Sequence, residues 1–232
     1  PTGFTDLDKQ TGGFQPGDLI TVGGRPSMGK SAFALNIAEH VALVAGLPVG
    51  IFSLEMPEEQ LATRILASVS RLNHFKMRKG LLHDDDWVRL NDSMEKLLAA
   101  PIFIDETSGI SPIEIRVRAR RLSRQFGKLG LIVVDYLQLM QGDTRTDNRA
   151  AEIGTFSRAL KNLAKELNCP VLALSQVNRG VESRPNKRPN MSDLRESGDI
   201  EQDSDIVLFL YRDEVYKPES PEKGTAEVNI AK

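Results

Sequence analysis

Residues Gly23–Phe33 read GGRPSMGKSAF and stand between an apolar run and a run with helical spacing. Within this stretch, Gly24–Ser31 matches the pattern G-x-x-x-x-G-K-S, in which x is any residue. The apolar run Leu19–Val22 before it is typical of a buried strand, and the residues from Ser31 onward are typical of a helix. A loop that only reversed the chain would not require Lys30. The stretch therefore predicts a loop that holds the phosphate groups of a nucleotide.

The glycines, Lys30 and Ser31 each have a chemical role in this loop. Glycines let backbone N–H groups approach phosphate oxygens without a Cβ in the way. Lys30 places a positive charge beside the β- and γ-phosphates, and the Ser31 hydroxyl is a ligand for Mg²⁺. The alternative, a glycine-rich turn with a chance lysine, is disfavoured because the strand pattern before the loop and the helix pattern after it are both present. The predicted nucleotide-binding residues are Gly24, Arg25, Pro26, Ser27, Met28, Gly29, Lys30 and Ser31.

Short apolar runs recur through the rest of the chain, and segments with helical spacing lie between them. The runs are largely continuous, which is typical of parallel strands covered on both faces. This alternation predicts one α/β domain over residues 1–232, with a mainly parallel central sheet flanked by helices. The breaks at Pro218, Pro221 and Gly224 predict a hairpin or arm at the end of the chain. The predicted strands are Leu19–Val22, Val49–Leu54, Ile102–Ile104, Leu131–Val134, Val171–Leu174 and Ile206–Tyr211; the predicted helices are Ala32–Val44, Glu58–Ser70, Pro112–Gly127 and Ile153–Leu167.

Two acids follow predicted strands. Asp135 ends the run LIVVD, and ligands bind at the carboxyl ends of parallel strands, so Asp135 is predicted as the second anchor for Mg²⁺ beside Ser31. Glu55 ends the run that follows the phosphate loop, and it faces the γ-phosphate if that strand neighbours the first. A strand-ending helix cap for Asp135 and a solvent-facing role for Glu55 are the alternatives.

The run VLALSQ ends with Gln176, whose amide is suited to sense a γ-phosphate; a surface glutamine is the alternative. The following segment, Val177–Gly198, is rich in Arg, Lys, Asn and Pro and is longer than a simple connection requires. It contains DLRESG, which places Arg195 beside small residues where a backbone can approach a phosphate.

Composition narrows the class further. The chain has a net charge of -2, which argues against a protein coated in basic charge, but Arg116–Lys128 holds six basic residues and no acids. No apolar run reaches the roughly 18–20 residues of a membrane span, so we expect a soluble, cytoplasmic protein without a membrane partner. The single Cys169 suits a reducing compartment.

Several motifs, taken together, resemble the motor domain of the bacterial replicative DNA helicase family, DnaB. They occur in the family's order and cover almost the whole chain. The matching stretches are RPSMGKS, FSLEMP, ARRLSR, DYLQLM, LSQVNR and KRPNMSDLRESGDIEQDSDIVLFLYRDEVY.

The resemblance implies a RecA-like P-loop fold and a homo-hexameric ring that moves 5′ to 3′ on single-stranded DNA by hydrolysing ATP with Mg²⁺. It further implies a helicase loader and a primase as partners. By this resemblance Glu55 activates water, Arg64 lies near the same site, and Gln176 senses the γ-phosphate. Lys232 reaches the neighbouring subunit's site, with an arginine expected two residues beyond it. The residues implied to contact the DNA backbone are Arg195, Glu196 and Gly198.

Two other functions share part of this pattern. A RecA-like recombination or repair ATPase would have the same fold and phosphate loop, but the segment DLRESG…EQDSD favours the replicative group. A slow ATP-gated assembly switch is a different class, and the presence of both Lys30 and Glu55 disfavours it.

Overall fold

The computed structural model of the chain describes residues 1–142 and 149–232, and describes the backbone alone for 195–198. All six predicted strands are present, and so are the four predicted helices, with α2 beginning two residues earlier than expected. The elements are α1 (Thr5–Thr11), β1 (Leu19–Gly24), α2 (Lys30–Leu43), β2 (Val49–Ser53), α3 (Glu58–Ser70), α4 (His74–Arg78), α5 (Asp84–Ala99), β3 (Ile102–Asp105), α6 (Pro112–Phe126), β4 (Leu131–Asp135), α7 (Arg149–Leu167), β5 (Val171–Gln176), α8 (Gly198–Asp203), β6 (Ile206–Tyr211) and β7 (Glu227–Ile230).

The strands form one sheet in the order β3-β2-β4-β5-β1-β6-β7. The first six strands in this order are parallel, and β7 pairs antiparallel with β6, which confirms the predicted terminal hairpin or arm. The order brings the carboxyl ends of β1, β5 and β4 side by side. The condition set for Glu55 is not met: β2, which leads to Glu55, does not neighbour β1, because β4 and β5 lie between them.

Apolar side chains cover the sheet on both faces, as the continuous runs predict. One core cluster packs α2 and α3 against one face, and includes Ile37, Leu61 and Leu172. The other packs α6 and α7 against the opposite face, and includes Ile115 and Phe156. The sheet is therefore held rigidly between two layers of helices, and the loops at its carboxyl edge extend from a fixed frame.

Local signals explain where the surface helices begin. At the start of α6, Ser111 Oγ accepts a hydrogen bond from Glu114 N at 3.3 Å, and the Glu114 side chain accepts one from Ser111 N at 2.9 Å. The first turn of α5 holds three aspartates, which favour the positive end of the helix dipole. No helix in the described ranges combines the length and the apolar character needed to cross a membrane.

The segment after β5 is more compact than its polar sequence indicates. It forms two 3-10 turns, Arg179–Ser183 and Met191–Ser197. Buried apolar side chains anchor these turns in a third, smaller core against β6: Val177, Val181, Leu194, Val207 and Phe209. Val177, Val181 and Leu194 thus pack this segment against β6, while most of its other side chains are exposed.

Candidate nucleotide-binding site

The predicted phosphate loop lies between the end of β1 and the start of α2. Gly29 caps α2 with φ 92°, a backbone conformation that glycine adopts without the steric cost of a Cβ. Met28 is buried, and its sulfur accepts a hydrogen bond from Arg212 N after β6 at 3.3 Å. Pro26 and Ser27 are exposed at the outer tip. The loop is therefore anchored at its base and exposed at its outer tip.

Lys30 begins α2, and its side chain reaches back to the start of the loop. Its Nζ donates hydrogen bonds to Gly24 O at 2.9 Å and Arg25 O at 3.2 Å. Burial lowers the pKa of Lys30, and the nearby carboxylates of Asp135 and Glu55 partly oppose this effect. An anionic ligand at the loop would supply the counter-charge that favours the ammonium form.

Ser31 and Asp135 meet at the start of α2. Ser31 Oγ donates a hydrogen bond to Asp135 Oδ2 at 2.6 Å, although the two residues are far apart in sequence. Asp135 is 4% exposed, and burial raises its pKa; the Ser31 hydrogen bond and the charges of Lys30 and Arg64 act in the opposite direction. A hydroxyl and a buried carboxylate within hydrogen-bond distance form an oxygen donor pair that suits Mg²⁺. The donor types fit the predicted metal.

Glu55 reaches the same site because β2 neighbours β4 rather than β1. Ser53 at the end of β2 pairs with Asp135 at the end of β4, and Leu54 N donates to Asp135 O at 2.7 Å. Glu55 follows directly, is exposed, and acts electrostatically on both Lys30 and Asp135. The adjacency of β2 and β4 therefore brings it near the phosphate loop. An exposed carboxylate beside a charged site is accessible to water.

Gln176 ends β5 directly beside Gly24, which ends β1. Its backbone N–H donates to Gln138 Oε1 at 3.1 Å, and Gln138 Nε2 donates to Ser175 Oγ at 3.0 Å and Gln176 O at 3.1 Å. Sequence reasoning gave Gln138 no role. Its position in DYLQLM, three residues after Asp135, was the available signal. Gln138 fixes the end of β5 relative to β4.

The remaining predicted residues lie in different places. Arg64 is exposed on α3, and its charge lowers the pKa of Asp135. Lys232 is at the opposite edge of the sheet, where its Nζ donates to Glu201 O at 2.8 Å, so this chain does not bring it to its own phosphate loop. The side chains of the predicted DNA contacts Arg195, Glu196 and Gly198 lie outside the described residues.

The acidic run before β6 does not form a metal cluster. Ser157 donates to Asp203, and Leu19 N and Lys161 donate to Asp205, so these acids hold the sheet and helices together. Within residues 1–142 and 149–232, no group of three or more His, Cys, Asp or Glu side chains is arranged to hold a metal ion.

A sheet in this order, with a glycine-rich lysine loop between its first strand and the next helix, defines a P-loop protein of the RecA-like class. A family model described as the DnaB-like helicase C terminal domain matches residues 1–232. The chain belongs to that family.

Curated relatives and solved structures agree with this assignment. The replicative DNA helicase DnaB of Buchnera aphidicola subsp. Schizaphis graminum is 53% identical over 232 residues, which cover 100% of this chain and 50% of the relative. The replicative DNA helicase DnaC of Bacillus subtilis is 54% identical over 233 residues, covering 100% of this chain and 51% of the relative. The chain thus spans about half the length of these curated relatives.

Two solved structures share the fold at TM-score 0.95 and 38% identity. One is described as an ATPase domain; the match covers 100% of this chain and 82% of that one. The other is a DnaB-like replicative helicase described with its interactions with primase; the match covers 100% of this chain and 56% of that one.

Proposed function

We propose that the chain is the motor of an ATP-dependent replicative DNA helicase, which moves 5′ to 3′ along single-stranded DNA and unwinds duplex at the replication fork. The observation that carries the proposal is the hydrogen bond from Ser31 to Asp135 beside Lys30, in a chain of the DnaB-like helicase family. Replicative helicases act on bacterial chromosomes, so the proposed location is the bacterial cytoplasm.

The proposed chemistry is hydrolysis of ATP to ADP and inorganic phosphate. Lys30 and the backbone N–H groups of Gly24–Ser31 bind the phosphate oxygens. Ser31 and Asp135 would hold Mg²⁺, which when bound would neutralise negative charge on the phosphates. Glu55 takes a proton from the water that attacks the γ-phosphorus, and its exposed position beside the site gives that water access.

The motor function requires contacts beyond this site. Gln176 senses the γ-phosphate and is followed directly by residues 177–194. This segment is anchored against β6 by its buried apolar side chains and leads to Arg195, Glu196 and Gly198. Arginine side chains and backbone N–H groups bind DNA phosphates without reading sequence, which suits a motor that must pass every sequence. In a homo-hexameric ring, Lys232 at the far sheet edge reaches a neighbour's site.

Partners are proposed by likeness to the relatives. The solved DnaB-like helicase is described with primase, so a primase is a proposed partner of this chain, together with a helicase loader.

The proposal is tested by strand displacement with the gene's full-length product. Forked duplexes carry a single-stranded tail at either the 5′ or the 3′ end, and Glu55→Gln is the control. We expect ATP-dependent displacement of the duplex with the 5′ tail, on which a 5′-to-3′ motor loads, and not of the duplex with the 3′ tail. The Glu55→Gln control should displace neither duplex. ATP hydrolysis with strand exchange but no displacement would indicate a recombination ATPase instead.

A further inference from the structure

Arg25 belongs to the predicted phosphate loop, yet its side chain turns away from the loop and into the fold. The residue is 9% exposed. Its Nε donates to Glu182 Oε1 at 2.9 Å, and its Nη1 donates to Val177 O at 3.1 Å. A guanidinium is suited to hold two acceptors at once, because its donors form a rigid planar fork. Arg25 therefore joins the phosphate loop to the segment that follows Gln176.

The main chain of the same residue faces the ligand side. Arg25 O and Gly24 O accept the two hydrogen bonds from Lys30 Nζ. Gly24 O also lies 3.5 Å from Val177 N. Phosphate oxygens that bind Lys30 compete with these carbonyls for its ammonium. A change in the hydrogen bonds of Lys30 therefore acts on Arg25, whose side chain binds Val177 and Glu182.

The receiving segment is held together by its own contacts. Val181 is fully buried beside Val177 in the small core. Asn178 N donates to Asp193 O at 3.0 Å, and Arg184 donates to Asp193 Oδ2 at 2.6 Å. These bonds connect the turn that contains Glu182 to the residues just before 195–198.

We infer that Arg25 and Glu182 form a relay through which occupancy of the phosphate loop sets the position of residues 177–184. Glu182 is a positioning residue in this relay: it acts on the nucleotide through Arg25 and on the downstream segment through its own turn. The inference rests on the proposed nucleotide site and adds a second connection beside Gln176, from the loop itself to the segment that leads toward the predicted DNA contacts.

Backbone amide hydrogen exchange tests the relay without DNA or hydrolysis, since it reports local opening residue by residue. The chain is compared with and without saturating ADP and Mg²⁺. In the native chain we expect slower exchange at residues 27–31, and exchange about tenfold slower at 177–184, an effect that hydrogen bonds to charged groups can support. The Val177 amide is the most direct reporter, since it faces Gly24 O.

Two variants distinguish a relay, which responds to nucleotide, from a contact that only stabilises the fold. Glu182→Gln keeps the shape and removes the charge, and Arg25→Lys keeps the charge and removes the fork. At saturating ADP, we expect both to lose the nucleotide effect at 177–184, and Glu182→Gln to retain the effect at 27–31. The matched control, Glu95→Gln, removes an exposed charge from α5 and retains both effects. If exchange at 177–184 is faster in both variants but is still slowed by ADP, the contact only stabilises the fold. That result would overturn the relay.

The design distinguishes failure of the relay from failure of the nucleotide site. Slower exchange at 27–31 with no change at 177–184 in the native chain would overturn the relay alone. No change at 27–31 in the native chain would overturn the nucleotide assignment, and the relay with it.

Discussion

Neutralising Asp135 is expected to stabilise the free chain while weakening its site. The carboxylate is 4% exposed, and the structure gives it one hydrogen bond, from Ser31. Burial opposes its charge and raises its pKa; Ser31, Lys30 and Arg64 counteract this only in part, and Glu55 adds to it. Asp135→Asn keeps the shape and removes the charge. Its amide oxygen still accepts from Ser31.

The size and sign of the effect follow from this balance. We expect the free variant to gain about 1 kcal/mol at pH 7, a typical value for a stabilising substitution, because it removes a buried charge. That gain corresponds to about 2–4 °C in Tm for a chain of this size. The pKa of Asp135 in the folded chain lies above the unfolded value of about 3.9. The free energy of unfolding of the native chain therefore falls as the pH rises from about 3.9 to the raised pKa. The variant's advantage is therefore absent below about pH 4 and complete above the raised pKa.

Thermal unfolding with and without ADP and Mg²⁺ measures both effects. At 100 times Kd, ligand binding stabilises the native chain by about 2.7 kcal/mol, and we expect Asp135→Asn to lose the part that depends on Mg²⁺. Asp105→Asn is the matched control at the end of β3. Burial disfavours the charge of Asp105, but hydrogen bonds from Arg118 and Thr107 outweigh burial and lower its pKa. Removing this charge should therefore destabilise the chain at pH 7. The reasoning would be refuted if free Asp135→Asn had a lower Tm than the free native chain. It would also be refuted if the variant kept the full Mg²⁺-dependent rise in Tm.

Four further changes probe other parts of the account. Lys30→Ala should remove the rise in Tm caused by ADP and Mg²⁺, and an unchanged rise would disprove the phosphate-loop assignment. Glu55→Gln should bind nucleotide normally but hydrolyse ATP about 10²–10⁴-fold more slowly, and normal turnover would place the water-activating group elsewhere. Arg195→Ala in the full-length product should weaken single-stranded DNA binding and reduce the log–log salt slope by about 0.7 per lost phosphate contact; an unchanged slope would remove Arg195 from the DNA. Gly130→Ala should cost about 1–3 kcal/mol in urea unfolding, because its Cβ would lie 2.5 Å from Leu47 Cβ; an unchanged midpoint would mean that Leu47 moves aside.

The central sheet could be predicted from sequence because its strands are continuous apolar runs between breaks. The terminal arm β7 was anticipated only as a hairpin or arm, since three of its four residues are exposed and it has little apolar pattern. The helices α1, α4, α5 and α8 were not predicted. They are short or strongly charged and bury few side chains, so their pattern is weak; α5 buries only Leu90 and Ser93.

Strand order limited what could be predicted about the site. The carboxyl-edge position of Asp135 follows from one strand alone, whereas the position of Glu55 depends on which strands are neighbours. A local sequence pattern does not contain that information, so the adjacency of β1 and β2 could be posed only as a condition, and the structure does not meet it. The same limit applies to Arg25 and Glu182, which are 157 residues apart and meet only because β5 pairs with β1.

The most direct test of the central claim is steady-state ATP turnover by the full-length product, with and without single-stranded DNA, and with Glu55→Gln as control. The account predicts strong stimulation by DNA and loss of turnover in the control. Turnover that is indifferent to DNA would leave an ATPase but contradict the assignment of a DNA-driven motor.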